Sequence, residues 1–219
     1  MFISSWSGGK DSCFAFYKAM SAGFKVSHLL NFISKEYQRV SFHGVRRELI
    51  QAQAELAGIP LVQKETTPGN YETEFKEAVR SLLPGGIRGM IFGDIYLDEH
   101  RQWVERVCRE LGCEAVEPLW GRDTGDLMKD YVDAGVQAVI VSAQSDLIDK
   151  EWIGKPVDMR FIEHLKSKPD VDPCGEKGEY HTLVLGCPVF KGRIEITEEE
   201  VVKREGYWFL DIKDYRVVT

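Results

Sequence analysis

Short apolar runs alternate along this chain with longer stretches in which apolar residues return every three or four positions. Runs at residues 1–6, 29–33, 61–62, 90–92, 115–116 and 136–141 read as strands. Helical periodicity fills the intervals at about residues 11–22, 44–57, 71–83, 98–111 and 124–134, and Gly23, Gly58, Gly112 and Gly135 stand where four of these helices should stop. Strands that alternate with helices predict an α/β protein: a parallel sheet of five or more strands with helices on both faces. After about residue 142 the alternation ends. Charged and glycine-rich segments follow at 146–154 and 169–178, with a short helix near 159–166 and partly alternating runs at 180–185, 193–196 and 207–212 suited to hairpins. The expected division is a first unit over residues 1–142 and a smaller C-terminal α+β region over residues 143–219.

The first strand runs into Ser7-Gly8-Gly9-Lys10-Asp11-Ser12, which opens the first helix. Two glycines let backbone approach an anion, and the helix adds unpaired N–H groups and the positive end of its dipole beside Ser7, Lys10 and Ser12. These are the features of a phosphate site, with Asp11 placed to hold an accompanying Mg2+. The spacing excludes the common nucleoside-triphosphate loop, in which four residues separate the first Gly from Gly-Lys-Ser/Thr, and it excludes the dinucleotide signature G-x-G-x-x-G. An open parallel sheet binds ligands beyond the carboxyl ends of its strands, and this loop sits at such an end.

Further candidates follow from position. Gly93-Asp94 ends the buried run 90–92 on the same side of the sheet, so Asp94 is read either as a ligand of magnesium or substrate or as a turn residue. His43, between the second strand and its helix, either approaches the nucleotide or caps the helix. In Trp120-Gly121-Arg122-Asp123, Asp123 is expected to cap the fifth helix, and Arg122 either meets an anion or lies on the surface. The segment from Asp172 to Thr182 is the second dense constellation. Its Gly175 and Gly178 allow close approach of a ligand, and Glu176, Glu179 or His181 could position an ammonium ion or take its proton; the bland alternative is a charged surface hairpin.

Charge and composition narrow the class. With 28 Lys and Arg against 35 Asp and Glu, the net charge is −7, which disfavours generic nucleic-acid binding. No run approaches the ~20 apolar residues that cross a bilayer, so a cytoplasmic protein with no membrane partner is expected. Five cysteines form no C-x-x-C pair. Reduced thiols are therefore expected, and tRNA thiolation, which uses paired cysteines, is disfavoured.

The Ser7–Ser12 motif resembles the loop of the N-type ATP pyrophosphatases, whose fold is adenine nucleotide alpha hydrolase-like. Within that superfamily the chain resembles the diphthine-ammonia ligase family over essentially its whole length. Phe42-His43 running into Leu56-Ala57-Gly58-Ile59-Pro60-Leu61, Pro118 to Asp123, and Gly175 to Tyr180 leading to Pro188-Val189-Phe190 also carry the resemblance. It implies that ATP activates a carboxylate as an acyl-adenylate, pyrophosphate leaves, and free ammonia displaces AMP to give an amide. On that resemblance Ser7, Gly8, Gly9, Lys10, Asp11 and Ser12 hold phosphates and metal, while the 175–182 turn faces the acceptor; His43, Gly93 and Arg122 are nucleotide-binding candidates by their position. The acceptor would be diphthine, a modified histidine of elongation factor 2. His181 stands where the diphthine enzymes carry glutamate, as in relatives linked to cobalamin salvage, so a small carboxylate such as a corrinoid precursor is the alternative. A non-catalytic nucleotide-binding module is a further alternative, and a homodimer is compatible with the sequence.

Overall fold

The computed structural model describes residues 1–41 and 43–219; Phe42 lies outside the described residues. The first sheet is parallel, with strands β1 (Phe2–Ser5), β2 (Val26–Ser34), β3 (Leu61–Thr66), β4 (Gly89–Ile91) and β5 (Glu114–Val116) in the order β3-β2-β1-β4-β5. Helices α1 (Lys10–Ser21), α2 (Arg47–Ala57), α3 (Tyr71–Leu82) and α4 (Asp98–Leu111) connect them. Strand order reverses between β1 and β4, so the crevice beyond their carboxyl ends is the topological switch point where such sheets bind ligands. The predicted α/β fold with a five-stranded parallel sheet and a smaller α+β region is borne out.

Both faces of the parallel sheet are covered, which is why its strands lack clean alternation. On one face α3 and α4 bury Phe75, Ala78, Val79, Val104, Val107, Cys108 and Leu111 against Ile3, Leu30 and Met90. The α4 residues recur at helical spacing, and Gly112, in the left-handed conformation at φ 67°, lets the Cys113 N–H return to the Cys108 carbonyl at 2.9 Å. The opposite face shares one continuous core with the rest of the chain.

That rest contains α5 (Thr124–Asp133), β6 (Gln137–Gln144), α6 (Met159–Leu165), β7 (Tyr180–Gly186), β8 (Arg193–Arg204) and β9 (Tyr207–Val218). Here one expectation is corrected. The apolar run at 136–141 is not a further strand of the parallel sheet, because β6 pairs antiparallel with both β7 and β9 in a second sheet of order β7-β6-β9-β8. A strand buried on both faces looks alike in either sheet, so its composition does not reveal its partners. The change of architecture therefore precedes β6. The β8–β9 hairpin, longer than the apolar runs suggested, turns at Glu205 and Gly206, both at positive φ as a two-residue type I′ turn requires.

Gly93, just past β4, fits the two halves of the site together. A Cβ there would lie 2.8 Å from the backbone carbon of Asp11 and 2.9 Å from the Ser12 nitrogen, so the chain beyond β4 abuts the start of α1. Gly93→Ala is expected to lower unfolding stability by about 1–3 kcal/mol, the range for overpacking against backbone. Gly85→Ala, at a position with open space around it, should stay within about 0.5 kcal/mol of the parent in the same urea titration.

Candidate functional site

Residues 7–12 form the turn from β1 into the first residues of α1, and side chains there hold its shape. The Ser7 and Ser12 hydroxyls lie 3.1 Å apart, the Gly9 N–H donates to Ser7 Oγ at 3.2 Å, and Ser12 Oγ donates to the Gly9 carbonyl at 3.1 Å. Gly8 has φ 86°, and a Cβ on it would clash with Ile50 and lie 2.9 Å from Gln53 Oε1. At Gly9 a Cβ would lie 2.8 Å from the His43 ring and 3.2 Å from the Thr182 carbonyl. Both glycines are therefore needed for close packing at this loop.

Lys10 is 2% exposed. Its ammonium donates to Asp11 Oδ2 at 3.0 Å and to the Cys174 carbonyl, and lies over the Tyr180 ring at 5.0 Å. Burial opposes its charge, but Asp11, Tyr180 and Cys174 around it shift its pKa upward, so it stays protonated. Asp11 Oδ1 accepts from the Tyr131 hydroxyl at 2.9 Å. The main chain joins in: the Lys10 N–H donates to Thr182 Oγ1 at 3.0 Å, and the Val184 N–H donates to the Gly8 carbonyl at 2.9 Å. The 172–182 segment therefore packs onto residues 7–12.

Within that segment the two glutamates differ. Glu179 is buried, and its two carboxylate oxygens accept from the Asp172 N–H at 2.8 Å and the Lys177 N–H at 3.0 Å. It shapes the turn. Glu176 instead accepts from the Ile95 N–H at 2.9 Å and comes within reach of Asp94 and His100, whose Nδ1 donates to Asp94 Oδ1 at 3.0 Å. Burial first, then the Asp11 and Asp94 carboxylates, push Glu176 up to about 7. Glu117 is likewise pushed up to about 7 by burial and by Asp94.

One ligand atom each from Asp94, His100 and Glu176 lies within 4.8 Å of the others, a spacing a divalent cation could bridge. The two carboxylates fit magnesium, which prefers oxygen; the imidazole suits a softer ion. Asp11 has an oxygen bonded to each of Lys10 and Tyr131, which leaves only its remaining lone pairs for a metal.

On the other flank His43 and His181 stand with ring centroids 4.9 Å apart. His43 Nδ1 donates to the Thr182 carbonyl at 2.9 Å, which leaves Nε2 as an acceptor in the neutral ring. Burial lowers His43 to about 4, and burial with His43 and Lys10 nearby lowers His181 to about 3, so both are neutral at pH 7. Beside them a cavity of about 550 Å³ opens beyond the ends of β1, β2 and β3, lined by Trp6, Asn31, Phe32, His43 and Tyr71 among others.

The structure thus brings His43 and Gly93 against residues Ser7 to Ser12, His181 against His43, and Glu176 beside Asp94, while Glu179 lies within the turn whose Thr182 bonds to Lys10. Arg122 is exposed and pairs with Asp130 of α5 at 2.9 Å. Asp123 caps α5 as expected, accepting from the Asp126 N–H at 2.9 Å. Sequence reasoning missed Gln53 and Thr182, both buried and both bonded to the loop. Gln53 gave no signal, since a glutamine on an amphipathic helix reads as solvent-facing; Thr182 lay at the end of the motif already singled out.

Comparison with known proteins agrees with this geometry. The family model described as the diphthamide synthase N-terminal domain matches residues 2–115, and the corresponding C-terminal domain matches residues 123–218. The diphthine-ammonia ligase of Schizosaccharomyces pombe is 31% identical over 218 residues, an alignment covering 90% of this chain but 36% of that protein. The Bos taurus and Homo sapiens diphthine-ammonia ligases are each 30% identical over 220 residues, covering 90% of this chain and 82% of theirs. With both family domains matched from the first strand to the last, the chain belongs to the diphthine-ammonia ligase family.

Proposed function

We propose that this chain is an amide ligase that adenylates a carboxylate with ATP and then transfers ammonia to it. One observation supports the reading above others: Lys10 bonds to Cys174 and Thr182 of the 172–182 turn and Gly8 to Val184 just beyond it, so residues 7–12 and the turn form one surface. A nucleotide gripped by the loop therefore meets its acceptor at the turn.

Adenosine occupies the cavity beside Trp6 and His43, and the triphosphate lies along residues 7–12 at the start of α1. An oxygen of the acceptor carboxylate attacks the α-phosphorus. The bond from that phosphorus to the bridging oxygen breaks, and pyrophosphate leaves with the electron pair. The buried Lys10 charge and the α1 N-terminus favour this anion in surroundings poor in water. Ammonia then attacks the acyl carbon, AMP departs, and Glu176 accepts the proton released by nitrogen. Magnesium, held by Asp94 with Asp11, would neutralise the phosphate charge. Glu179 keeps the turn in shape, while the neutral His43 and His181 bound the nucleotide without a charge of their own.

Kinship with relatives of about 30% identity favours diphthine on elongation factor 2 as acceptor. His181 favours the second reading, a small carboxylate such as a corrinoid precursor, because it stands where the diphthine enzymes carry glutamate. A cytoplasmic setting belongs to both readings, and among the described residues no helix is long and apolar enough to cross a membrane.

With ATP, magnesium, ammonium and each acceptor in turn, chromatography of the nucleotides should show AMP and pyrophosphate formed in equal amounts; ADP as product would sink the mechanism. Lys10→Met should lower kcat by about 100-fold or more, whereas weaker ATP binding with no turnover in the parent protein would mark a binding module. At fixed free-ammonia concentration, kcat/KM should rise with pH through about 7, because only the deprotonated Glu176 accepts a proton. Glu176→Gln should slow the reaction and remove that inflection.

A further inference from the structure

Gln53 lies on α2 and is 0% exposed. Filling space at that position would need only an apolar side chain, and a buried carboxamide is costly unless its polar atoms are satisfied. Its atoms are satisfied, and each partner belongs to the site. Nε2 donates to the Gly8 carbonyl at 3.0 Å and to the Val184 carbonyl at 2.7 Å, and Oε1 accepts from Trp6 Nε1 at 2.9 Å.

The Gly8 carbonyl consequently receives two donors, Gln53 Nε2 and the Val184 N–H. A peptide unit is planar, so fixing its carbonyl also fixes the N–H at its other end. Here that N–H belongs to Gly9 and turns to Ser7 Oγ, within the loop. An anion-binding loop needs its N–H groups converging and its carbonyls turned away. Gly8 offers no steric resistance to the opposite orientation, because at φ 86° it carries no side chain. Something outside the loop must choose between the two.

We propose that Gln53 is the positioning residue that makes this choice, holding the Gly8–Gly9 peptide with its carbonyl toward α2 so that the loop accepts the pyrophosphate moiety. The assignment rests on reading residues 7–12 as the phosphate site. It assigns Gln53 no contact with the nucleotide; the residue acts through the peptide.

Gln53→Glu is the informative variant. It keeps an acceptor for Trp6 but removes both donors and sets a carboxylate against two carbonyls. Calorimetric titration of the full chain with inorganic pyrophosphate, and separately with adenosine, reads the result. Pyrophosphate affinity should fall about tenfold or more, with adenosine affinity within about twofold of the parent. As pH falls from about 9 to about 6, the introduced carboxyl, raised by burial beside two carbonyls, takes up a proton and regains one donor, so the ratio of variant to parent pyrophosphate affinity should climb. A space-filling role would not produce that pH dependence. Gln53→Met, checked for folding by thermal melting, should show the pyrophosphate loss without the pH recovery. Parent-like pyrophosphate affinity in either folded variant, or equal losses for both ligands, would overturn the assignment alone. A parent protein that binds no pyrophosphate would overturn the phosphate-site reading and the assignment with it.

Discussion

An ammonium group leaves water only where other partners replace its hydration, and Lys10 is removed almost completely. Its replacements come from three parts of the chain: the neighbouring Asp11, the Cys174 carbonyl of the 172–182 turn, and the faces of Tyr131 on α5 and Tyr180 on β7. Tyr131 closes the circuit by donating to Asp11. Asp11 is 28% exposed, so only the lysine end of the pair is taken fully out of water, and the attraction does little more than offset that desolvation. What it supplies is geometry. The Cys174 carbonyl and the two rings belong to other elements, so the start of α1 cannot shift relative to the turn without stripping the Lys10 ammonium of these partners.

Around this fixed point the two flanks of the loop differ in charge. His43 and His181 are kept neutral by burial. Opposite them, Asp94, Glu117 and Glu176 crowd carboxylates together, and two of these are held above their ordinary range. A polyanionic ligand would meet repulsion on the carboxylate flank unless a cation or protons intervened, and none on the imidazole flank. That asymmetry gives the site a direction: the cavity lined by Trp6 and His43 lies on the neutral side, and the crowded carboxylates lie on the other.

Much of this was legible from residue pattern. The helices began and ended within three residues of expectation, and the Ser7–Ser12 motif and the 172–182 turn were both recognisable as constellations that do not arise from packing alone. Where the reading failed, the reason was physical. α2 starts at Arg47 rather than residue 44 because the preceding segment folds back, with Arg39 bridged to Arg46. β6 looked like another parallel strand because burial on both faces erases the alternation that would mark its partners. That both oxygens of the candidate Glu179 also serve backbone N–H groups depends on a loop conformation that the order of residues does not reveal. Gln53 was hidden for the complementary reason: hydrogen bonds to distant carbonyls leave no periodic trace.

The bond from Val184 to Gly8 has a consequence beyond the site. β7 is the outermost strand on its side of the second sheet, and an outermost strand presents unpaired amides on which a foreign strand can nucleate. The glycine loop covers one of those amides itself. The turn from β1 into α1 thus also blunts a sticky border of the protein, and loosening it would bare an amide on which a foreign strand could pair.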